Sequence, residues 1–287
     1  MKPAPFCYAK ARSLKHALEL LGQANGEARV LAGGQSLIAA LNLRLSSPRL
    51  LVDINGLADL DTIDLDGDRL ALGAMVRQAA AERSPAVIEH APLIVQALSH
   101  VAHPAIRNRG TIGGSIALAD PAAELPACLV ALGGEVEIAG SAGRRRVGAE
   151  DFFKGLYETD LEPGEVLAAV RVPAATRASR YGFGEFARRK GDYALVGLCA
   201  AARASGDKLQ DVRLVFFGVG LKPVRARKAE AEIEGGPFEE GRIRKSISAL
   251  ADDLDPLEDI QASKALRTHL AGVLLKRVVQ QLSESRS

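Results

Sequence analysis

Two glycine pairs, each followed within two residues by a serine, are the segments of this sequence best suited to bind a ligand. The first pair lies in Leu31-Ala32-Gly33-Gly34-Gln35-Ser36-Leu37 and the second in Thr111-Ile112-Gly113-Gly114-Ser115. Glycine lets the backbone approach a ligand closely, and amides at the start of a following helix point donors toward an anion. Two such turns predict loops that clasp one extended diphosphate from opposite ends. For either pair taken alone, a sharp strand-to-helix turn without a ligand remains the alternative.

The two commonest nucleotide-binding patterns are absent from the sequence. No G-x-G-x-x-G opens a helix, and no G-x-x-x-x-G-K-[ST] supplies a lysine for a triphosphate. The glycine pairs therefore indicate neither a Rossmann domain nor a P-loop.

Other candidate catalytic or metal-binding residues do not form a recognisable set. His100 and His103 have the spacing of a metal-binding pair, but Pro104 disfavours helical geometry at His103, so we expect a loop or packing role. Cys7, Cys128 and Cys199 lie too far apart for a local zinc or iron–sulfur motif or a disulfide framework. No G-x-S-x-G elbow supports a serine hydrolase. Any metal centre is expected on another chain.

The first glycine pair is predicted to connect a strand to a helix in a βαβ-like unit. Ser13 is a candidate N-cap for a helix over residues 14–21 that stops at Gly22. Residues 28–32 then form a predicted strand, residues 37–45 a helix, and residues 50–54 a second strand. This is close to the minimum length for a parallel crossover.

The remaining pattern predicts an α+β chain with two domains. The predicted elements are strands at 69–72, 135–138 and 166–172, a boundary at 173–179, three antiparallel strands at 181–187, 195–204 and 212–220, and helices at 224–233, 240–250 and 260–282. We expect an N-terminal domain over residues 1–176, with subdomains of about 1–57 and 58–176, and a C-terminal α+β domain over residues 177–287.

Composition limits the possible partners. The 287 residues are 47% apolar and carry 37 basic and 35 acidic side chains, a net charge of +2, with 4% aromatics. This balance argues against general nucleic-acid binding, and Arg144-Arg145-Arg146 indicates a solvated hairpin or loop. No apolar run is long enough to span a membrane, and Met1–Phe6 lack an apolar signal region, so we expect a cytoplasmic protein.

Several segments together resemble the FAD-binding medium subunits of molybdenum hydroxylases, as in aerobic carbon monoxide dehydrogenase and xanthine dehydrogenase. They are the first glycine loop, His103-Pro104-Ala105-Ile106-Arg107-Asn108-Arg109-Gly110 running into the second loop, Ala119-Asp120-Pro121-Ala122-Ala123-Glu124-Leu125-Pro126, Leu161-Glu162-Pro163-Gly164-Glu165-Val166-Leu167, and Arg188-Arg189-Lys190-Gly191-Asp192-Tyr193-Ala194-Leu195-Val196. The resemblance covers nearly the whole chain in order.

The resemblance implies a fold similar to the p-cresol methylhydroxylase type of FAD-binding domain, with two α+β subdomains, followed by a C-terminal three-stranded antiparallel sheet with helices. The residues implied to contact FAD are Leu31, Ala32, Gly33, Gly34, Gln35, Ser36, Leu37, Val101, Thr111, Ile112, Gly113, Gly114, Ser115, Glu124, Leu161 and Tyr193. The glycine loops would hold the pyrophosphate and Tyr193 would lie near the isoalloxazine ring.

Two of these positions also have an interpretation that does not depend on the family. With Asp120 as N-cap and Pro121 as first helical residue, Glu124 is predicted one turn into a helix, where its carboxylate can accept from ribose or ribityl hydroxyls. The alternative is a charge that only complements the helix dipole. For Tyr193 the alternative is a half-buried strand tyrosine.

The function implied by the resemblance is electron transfer without a catalytic acid or base in this chain. The FAD subunit would take electrons from a small [2Fe–2S] subunit and pass them to an external acceptor, while a large molybdopterin subunit oxidises the substrate. The relatives suggest that the complex is a dimer of heterotrimers. The sequence departs from the pattern of many relatives at Glu185, where lysine is common, and at Ser115, where Asn or Asp is common. A self-sufficient FAD oxidoreductase acting on a small molecule and a non-enzymatic α+β interaction module remain alternatives.

Overall fold

The computed structural model describes residues 2–283 and begins with a small parallel sheet. Its elements are β1 (Cys7–Lys10), α1 (Leu14–Gln23), β2 (Ala28–Leu31), α2 (Leu37–Asn42) and β3 (Leu50–Asp53). The strand order is β1-β3-β2, and β3 pairs in parallel with both neighbours, which confirms the predicted parallel crossover. Buried Ala17, Leu21 and Val52 are part of the core of this lobe.

The two helices of this lobe end where local geometry requires. Ser13 caps α1 as predicted, accepting from the His16 amide at 3.1 Å, but α1 continues through Gly22 to Gln23. Helix α2 ends at Asn42 and not near residue 45, because Arg44 adopts a left-handed backbone with φ +59°. Hydrogen bonds from Arg44 N to Leu41 O and from Leu45 N to Ala40 O complete this helix end.

The second lobe is built on a five-stranded antiparallel sheet with helices packed against it. The strands are β4 (Ile63–Asp66), β5 (Arg69–Gly73), β6 (Glu135–Gly140), β7 (Gly143–Gly148), the separate pair β8 (Phe153–Gly155) and β9 (Glu158–Thr159), and β10 (Val166–Pro173). The helices are α3 (Gln78–Arg83), α4 (Pro85–His90), α5 (Pro92–Leu98), α6 (Pro104–Arg107), α7 (Ile112–Leu118), α8 (Glu124–Ala131) and α9 (Ala149–Phe152). The order in the large sheet is β4-β5-β10-β6-β7, so the predicted strands at β5, β6 and β10 are confirmed.

The arginine run at residues 144–146 lies in β7, the outer strand of a hairpin with β6. Arg144 and Arg146 both pair with Glu137 across the hairpin. Arg145 forms a two-pronged ion pair with Glu165, at 2.9 and 2.7 Å. Alternating side chains of an edge strand therefore account for this basic run.

The C-terminal part has a four-stranded antiparallel sheet, whereas three strands were predicted. Its elements are β11 (Ser179–Phe186), β12 (Val196–Ser205), β13 (Lys208–Phe217), β14 (Val224–Arg225), α10 (Arg227–Ile233), α11 (Glu240–Asp253) and α12 (Lys264–Ser283). The prediction of a helix starting at Val224 was wrong because Val224 and Arg225 pair with Phe216 and Val215 as a short fourth strand.

The two faces of this sheet are covered by different parts of the chain. Helices α10 and α12 pack on one face, while α8 of the second lobe contacts β12 and β13. Buried Phe183, Val215 and Phe217 belong to the same hydrophobic core as α8. Across this contact the Sγ atoms of Cys128 and Cys199 lie 3.4 Å apart. The C-terminal sheet thus completes the core of the second lobe.

None of the helices in residues 2–283 has the length and apolar character needed to cross a membrane.

Candidate functional site

Residues 31–37, here called loop A, run from the last residue of β2 to the first residue of α2 and offer unused backbone donors. Gly34 has φ +74°, a conformation that favours glycine. The Gln35 side chain donates back to Gly33 O at 3.0 Å and so stabilises the turn. Within residues 2–283, no acceptor receives a hydrogen bond from the amides of Gly33, Gly34, Gln35 or Ser36. Four consecutive unpaired amides suit an anionic ligand.

Residues 111–115, here called loop B, form the start of α7 and use most of their amides internally. The Ile112 and Gly113 amides donate to Val76 O at 2.9 Å and Ala74 O at 3.0 Å. The Gly114 amide donates to the Thr111 hydroxyl at 2.9 Å. Loop B is therefore fixed to the second lobe, and what it offers a ligand is a close backbone and the half-buried Ser115 side chain, while the buried Thr111 hydroxyl caps α7.

Glycine is needed in both loops because neighbouring backbone lies very close. A Cβ atom at Gly33 would overlap the carbonyl group of Arg109, and one at Gly113 would lie 2.5 Å from the Ala74 Cβ. Loop A thus touches the segment that leads into loop B. The free amides and this narrow space fit a pyrophosphate group held where the two loops meet.

Asn55 and Arg77 connect the two loops, and neither residue was predicted from the sequence. The Asn55 side chain donates to Ala32 O of loop A at 2.8 Å and to the Asp53 carboxylate at 2.7 Å. Arg77 donates to Asn55 Oδ1 at 2.6 Å and to the carbonyl oxygen of Arg109. Asn55 had a usable signal, because it follows a strand parallel to β2 and the carboxyl ends of parallel strands share one edge. We find no comparable signal for Arg77.

Acidic and phenolic side chains gather at the other end of α7. Tyr157 donates to an Asp120 carboxylate oxygen at 3.2 Å, and the second Asp120 oxygen accepts from the Ala122 amide at 2.9 Å. The prediction that Pro121 begins the helix was wrong. Residues 120–123 form a turn closed by Asp120, so α8 begins at Glu124 itself.

Burial and nearby charges raise the pKa values of the side chains around Asp120. It raises the pKa of Glu124 to about 8, and the charges of Glu185 and Asp120 act in the same direction. At pH 7 Glu124 is therefore mostly protonated and can donate a hydrogen bond as well as accept one. Both tyrosine side chains are largely exposed, but partial loss of water around the phenol oxygen and the Asp120 charge raise the pKa of Tyr157 to about 12. The same partial loss of water, with the charges of Asp120 and Glu124, raises the pKa of Tyr193.

Glu185 is a buried acid paired with a histidine. Its side chain is 5% exposed, and one carboxylate oxygen lies 3.1 Å from His100 Nδ1. The other oxygen is buried and has no hydrogen-bond partner among residues 2–283. The His100 ring also lies against Phe183, with ring centroids 4.9 Å apart. The predicted packing role of His100 is confirmed, and His103 occupies the position before α6.

No group of three or more His, Cys, Asp or Glu side chains within the described part of the chain is arranged to hold a metal ion.

Tyr193 lies in the loop between β11 and β12 and is 63% exposed, so it is not a half-buried strand tyrosine. The same loop lines a cleft of about 470 Å³ together with Ile260 and Gln261. Gly191 of this loop lies directly against Ala102, since an added Cβ would overlap the Ala102 carbonyl. Val101 and Leu161 are partly buried and pack against the core of the second lobe.

The predicted site residues thus fall into two groups joined by α7. Loops A and B meet at its amino end, while Asp120 and the residues around it lie beyond its carboxyl end. Seven residues at 1.5 Å each separate these ends by about 10 Å. Such a spacing suits an extended cofactor with an anionic part at one end.

Comparison with known proteins assigns both parts of the chain. Residues 4–175 match the family described as the FAD binding domain in molybdopterin dehydrogenase, and residues 181–282 match the CO dehydrogenase flavoprotein C-terminal domain. Over 279 residues the chain is 36% identical to the nicotine 6-hydroxylase medium subunit of Paenarthrobacter nicotinovorans, covering 97% of this chain and 98% of that protein.

Two solved structures are similar over nearly their full length. Carbon monoxide dehydrogenase from Hydrogenophaga pseudoflava, in a form lacking the Mo-pyranopterin moiety, aligns with a TM-score of 0.96 and 35% identity over 98% of both chains. Quinoline 2-oxidoreductase from Pseudomonas putida 86 aligns with a TM-score of 0.94 and 38% identity, covering 99% of this chain and 98% of the other.

Proposed function

The chain belongs to the family of FAD-binding medium subunits of molybdenum hydroxylases, and from this premise we propose which of its residues hold the cofactor. Loops A and B bind the pyrophosphate, and the Asp120 end of α7 accommodates the flavin half. The observation that carries this proposal is the run of four unpaired amides in loop A, placed against the segment that leads into loop B.

Loop A supplies most of the backbone donors, and loop B supplies a fixed wall and the Ser115 hydroxyl. The full set proposed to contact FAD is Leu31, Ala32, Gly33, Gly34, Gln35, Ser36, Leu37, Val101, Thr111, Ile112, Gly113, Gly114, Ser115, Glu124, Leu161 and Tyr193. Glu124, protonated near pH 7, donates to or accepts from polar groups of the flavin half. Tyr193 and Val101 are proposed to flank this half because Gly191 brings their two segments together.

The protein is an oxidoreductase subunit whose redox chemistry comes from FAD, which takes up and releases one or two electrons. The chain itself positions the cofactor and sets the charges beside it. We propose that electrons arrive from a small [2Fe–2S] subunit and leave to an external acceptor, and that a large molybdopterin subunit oxidises the substrate. Family membership does not favour a self-sufficient oxidoreductase or an interaction module.

Three finer points complete the proposal. We place the domain boundary near residues 176–177, supported by the separate family matches on either side. The assembly is proposed to be a dimer of heterotrimers, tested by the native mass of the purified complex. The compartment is proposed to be the cytoplasm, tested by cell fractionation.

Absorption spectroscopy tests the cofactor assignment. Spectra of the purified complex and of this full chain alone are recorded, and any flavin is released with acid and identified. FAD on this chain, with iron–sulfur absorbance only in the complex, is the expected result. A colourless chain that also fails to take up added FAD contradicts the proposal.

A further inference from the structure

Loops A and B belong to different lobes, so their spacing depends on contacts between the lobes. Loop A follows β2 of the small parallel sheet, and loop B is anchored to Ala74 and Val76 beside β5. At Gly33, the Arg109 carbonyl carbon and the Gly110 Cα would each lie 3.0 Å from an added Cβ. A small change in the lobe contact would therefore open or close the space between the loops.

Asn55 is held rigidly against loop A. Its backbone amide and its side-chain amide donate to the same Asp53 oxygen, at 2.8 and 2.7 Å. The other Asp53 oxygen accepts from Tyr8 at 2.6 Å. Although burial would raise the pKa of Asp53, the hydrogen bonds from Tyr8 and Asn55 lower it, so the carboxylate stays ionised. With its Nδ2 group on Ala32 O, Asn55 presents its Oδ1 atom in one fixed direction.

Arg77 is held equally firmly against loop B. Its backbone forms a bridge with Thr111, flanked by hydrogen bonds from Gln78 N to Gly110 O and from Ile112 N to Val76 O, both 2.9 Å. From this anchored position one guanidinium nitrogen reaches Asn55 Oδ1 and the other reaches the Arg109 carbonyl. Within residues 2–283, no other side chain donates to both Asn55 and the segment leading into loop B.

We propose that Arg77 and Asn55 form a single link that fixes the spacing of loops A and B before FAD binds. Both are positioning residues, and the inference rests on the proposed function of the two loops. When the gap is preformed, binding does not have to order the loops and loses less conformational entropy. The link therefore contributes to FAD affinity without touching the cofactor. The planar fork of arginine serves two acceptors at once, which the single ammonium of lysine cannot do in the same geometry.

FAD affinity of the FAD-free full chain, measured by quenching of flavin fluorescence, tests this link. Arg77→Met keeps the apolar stem of the side chain and removes its donors, and the backbone bridge at Thr111 does not depend on the side chain. We expect Arg77→Met and Asn55→Ala each to raise the Kd for FAD about tenfold, while the Tm of the FAD-free chain changes little. Arg77→Lys does not restore the affinity.

The double variant separates a shared link from two independent effects. If the residues act as one link, Arg77→Met with Asn55→Ala binds FAD about as well as the worse single variant. Arg171→Met is the matched control, because Arg171 pairs with Asp66 in the same domain and contacts neither loop. Its FAD affinity should equal that of the unaltered chain.

The outcomes distinguish this inference from the proposed function. An unaltered chain that binds no FAD overturns both. Normal FAD binding by the unaltered chain and by Arg77→Met overturns the link alone, as do additive losses in the double variant. A drop in the Tm of FAD-free Arg77→Met that accounts for weaker binding overturns the positioning role in favour of a general structural one.

Discussion

Individual atoms control the proposed site because the two loops meet with almost no spare volume. Gly33 faces a carbonyl group of the other lobe, and Glu124 is a nearly buried acid beside two further carboxyl groups. At the first position a single methyl group matters, and at the second a single proton matters.

Gly33→Ala tests the close approach of the loops. The new Cβ overlaps the Arg109 carbonyl and must push the loops apart, so we expect the Kd for FAD to rise by about tenfold or more, equivalent to about 1.4 kcal/mol or more. The measurement is FAD titration of the purified chain. Gly22→Ala is the control, since Gly22 lies in α1 of the same lobe with open space around it. Equal affinity of the Gly33→Ala chain and the unaltered chain would show that the close approach of loops A and B does not contribute to FAD binding.

Glu124→Gln tests the buried proton. The pKa of Glu124 is about 8 in the folded chain against an ordinary 4.5, so the folded state keeps a proton that the unfolded state loses. The favourable contribution is complete below the unfolded pKa and is lost as pH rises through the interval up to about 8. We therefore expect Glu124→Gln to be more stable than the unaltered FAD-free chain above this interval, and similarly stable below it.

Urea unfolding at pH values on either side of the interval measures this difference. Glu19→Gln, at an exposed position in α1, should show no comparable pH dependence. A stability difference between Glu124→Gln and the unaltered chain that does not change with pH would exclude a buried proton at Glu124.

Helices and strands were predictable from the sequence where local periodicity determines them. The strand, glycine turn, helix and strand around loop A were predicted because alternating and helical patterns are local and Ser13 is a clear cap. The predicted start of α8 was wrong because Asp120 closes a turn and does not cap the helix. Strand β14 was missed because two residues carry no periodicity, and their pairing depends on β13.

The candidate site was predictable only in part, because some of its contacts are local in sequence and others join distant segments. Both glycine loops and Glu124 could be named from motifs, because glycine and a cap-like aspartate are visible in the chain itself. The link through Arg77 could not, since Arg77 and Asn55 are 22 residues apart in sequence and meet only when the two lobes fold against each other. The pairing of Glu185 with His100 spans 85 residues and likewise has no local signal.

Arg145 tests how β7 is attached to the rest of its lobe. It bonds to Glu165 twice and to Asp160, so it holds the segment that leads into the turn over residues 162–165 and the last residue of that turn. Because this pair is bidentate but 37% of the arginine side chain is exposed, we expect Arg145→Met to lower the free energy of unfolding by about 1 kcal/mol. Urea denaturation measures the change.

Arg144→Met provides the comparison within the same strand. Its side chain is 55% exposed and its partner Glu137 keeps a second arginine, so the loss should be smaller. A larger loss for Arg144→Met than for Arg145→Met would contradict the assigned role of Arg145.

The whole molecule is held together by a core that both domains share. Phe183, Val215 and Phe217 from the C-terminal sheet pack with α8 and the second lobe. The Gly218 amide also donates to Pro121 O at 2.8 Å, close to the Asp120 end of α7. The C-terminal sheet therefore packs against α8 and binds the segment next to Asp120 through a backbone hydrogen bond.

Leu275→Ala tests whether the domains unfold together. Leu275 is fully buried on the far side of the C-terminal sheet, so the substitution should cost about 2–5 kcal/mol. Because the other face of that sheet completes the core of the second lobe, we expect one calorimetric transition that moves to lower temperature as a whole. Two separate transitions, with only one of them shifted, would show independent domains.

The doubly covered sheet also limits how such chains diversify by recombination. A C-terminal domain grafted from a distant relative would bring, at the positions of Phe183, Val215 and Phe217, side chains that fit the α8 of that relative. Crossovers near residue 176 would then join two halves of a mismatched core, even though the proposed boundary lies in a short polar segment. The two domains should consequently be inherited as a pair, and substitutions on α8 should be accompanied by compensating changes on β12 and β13.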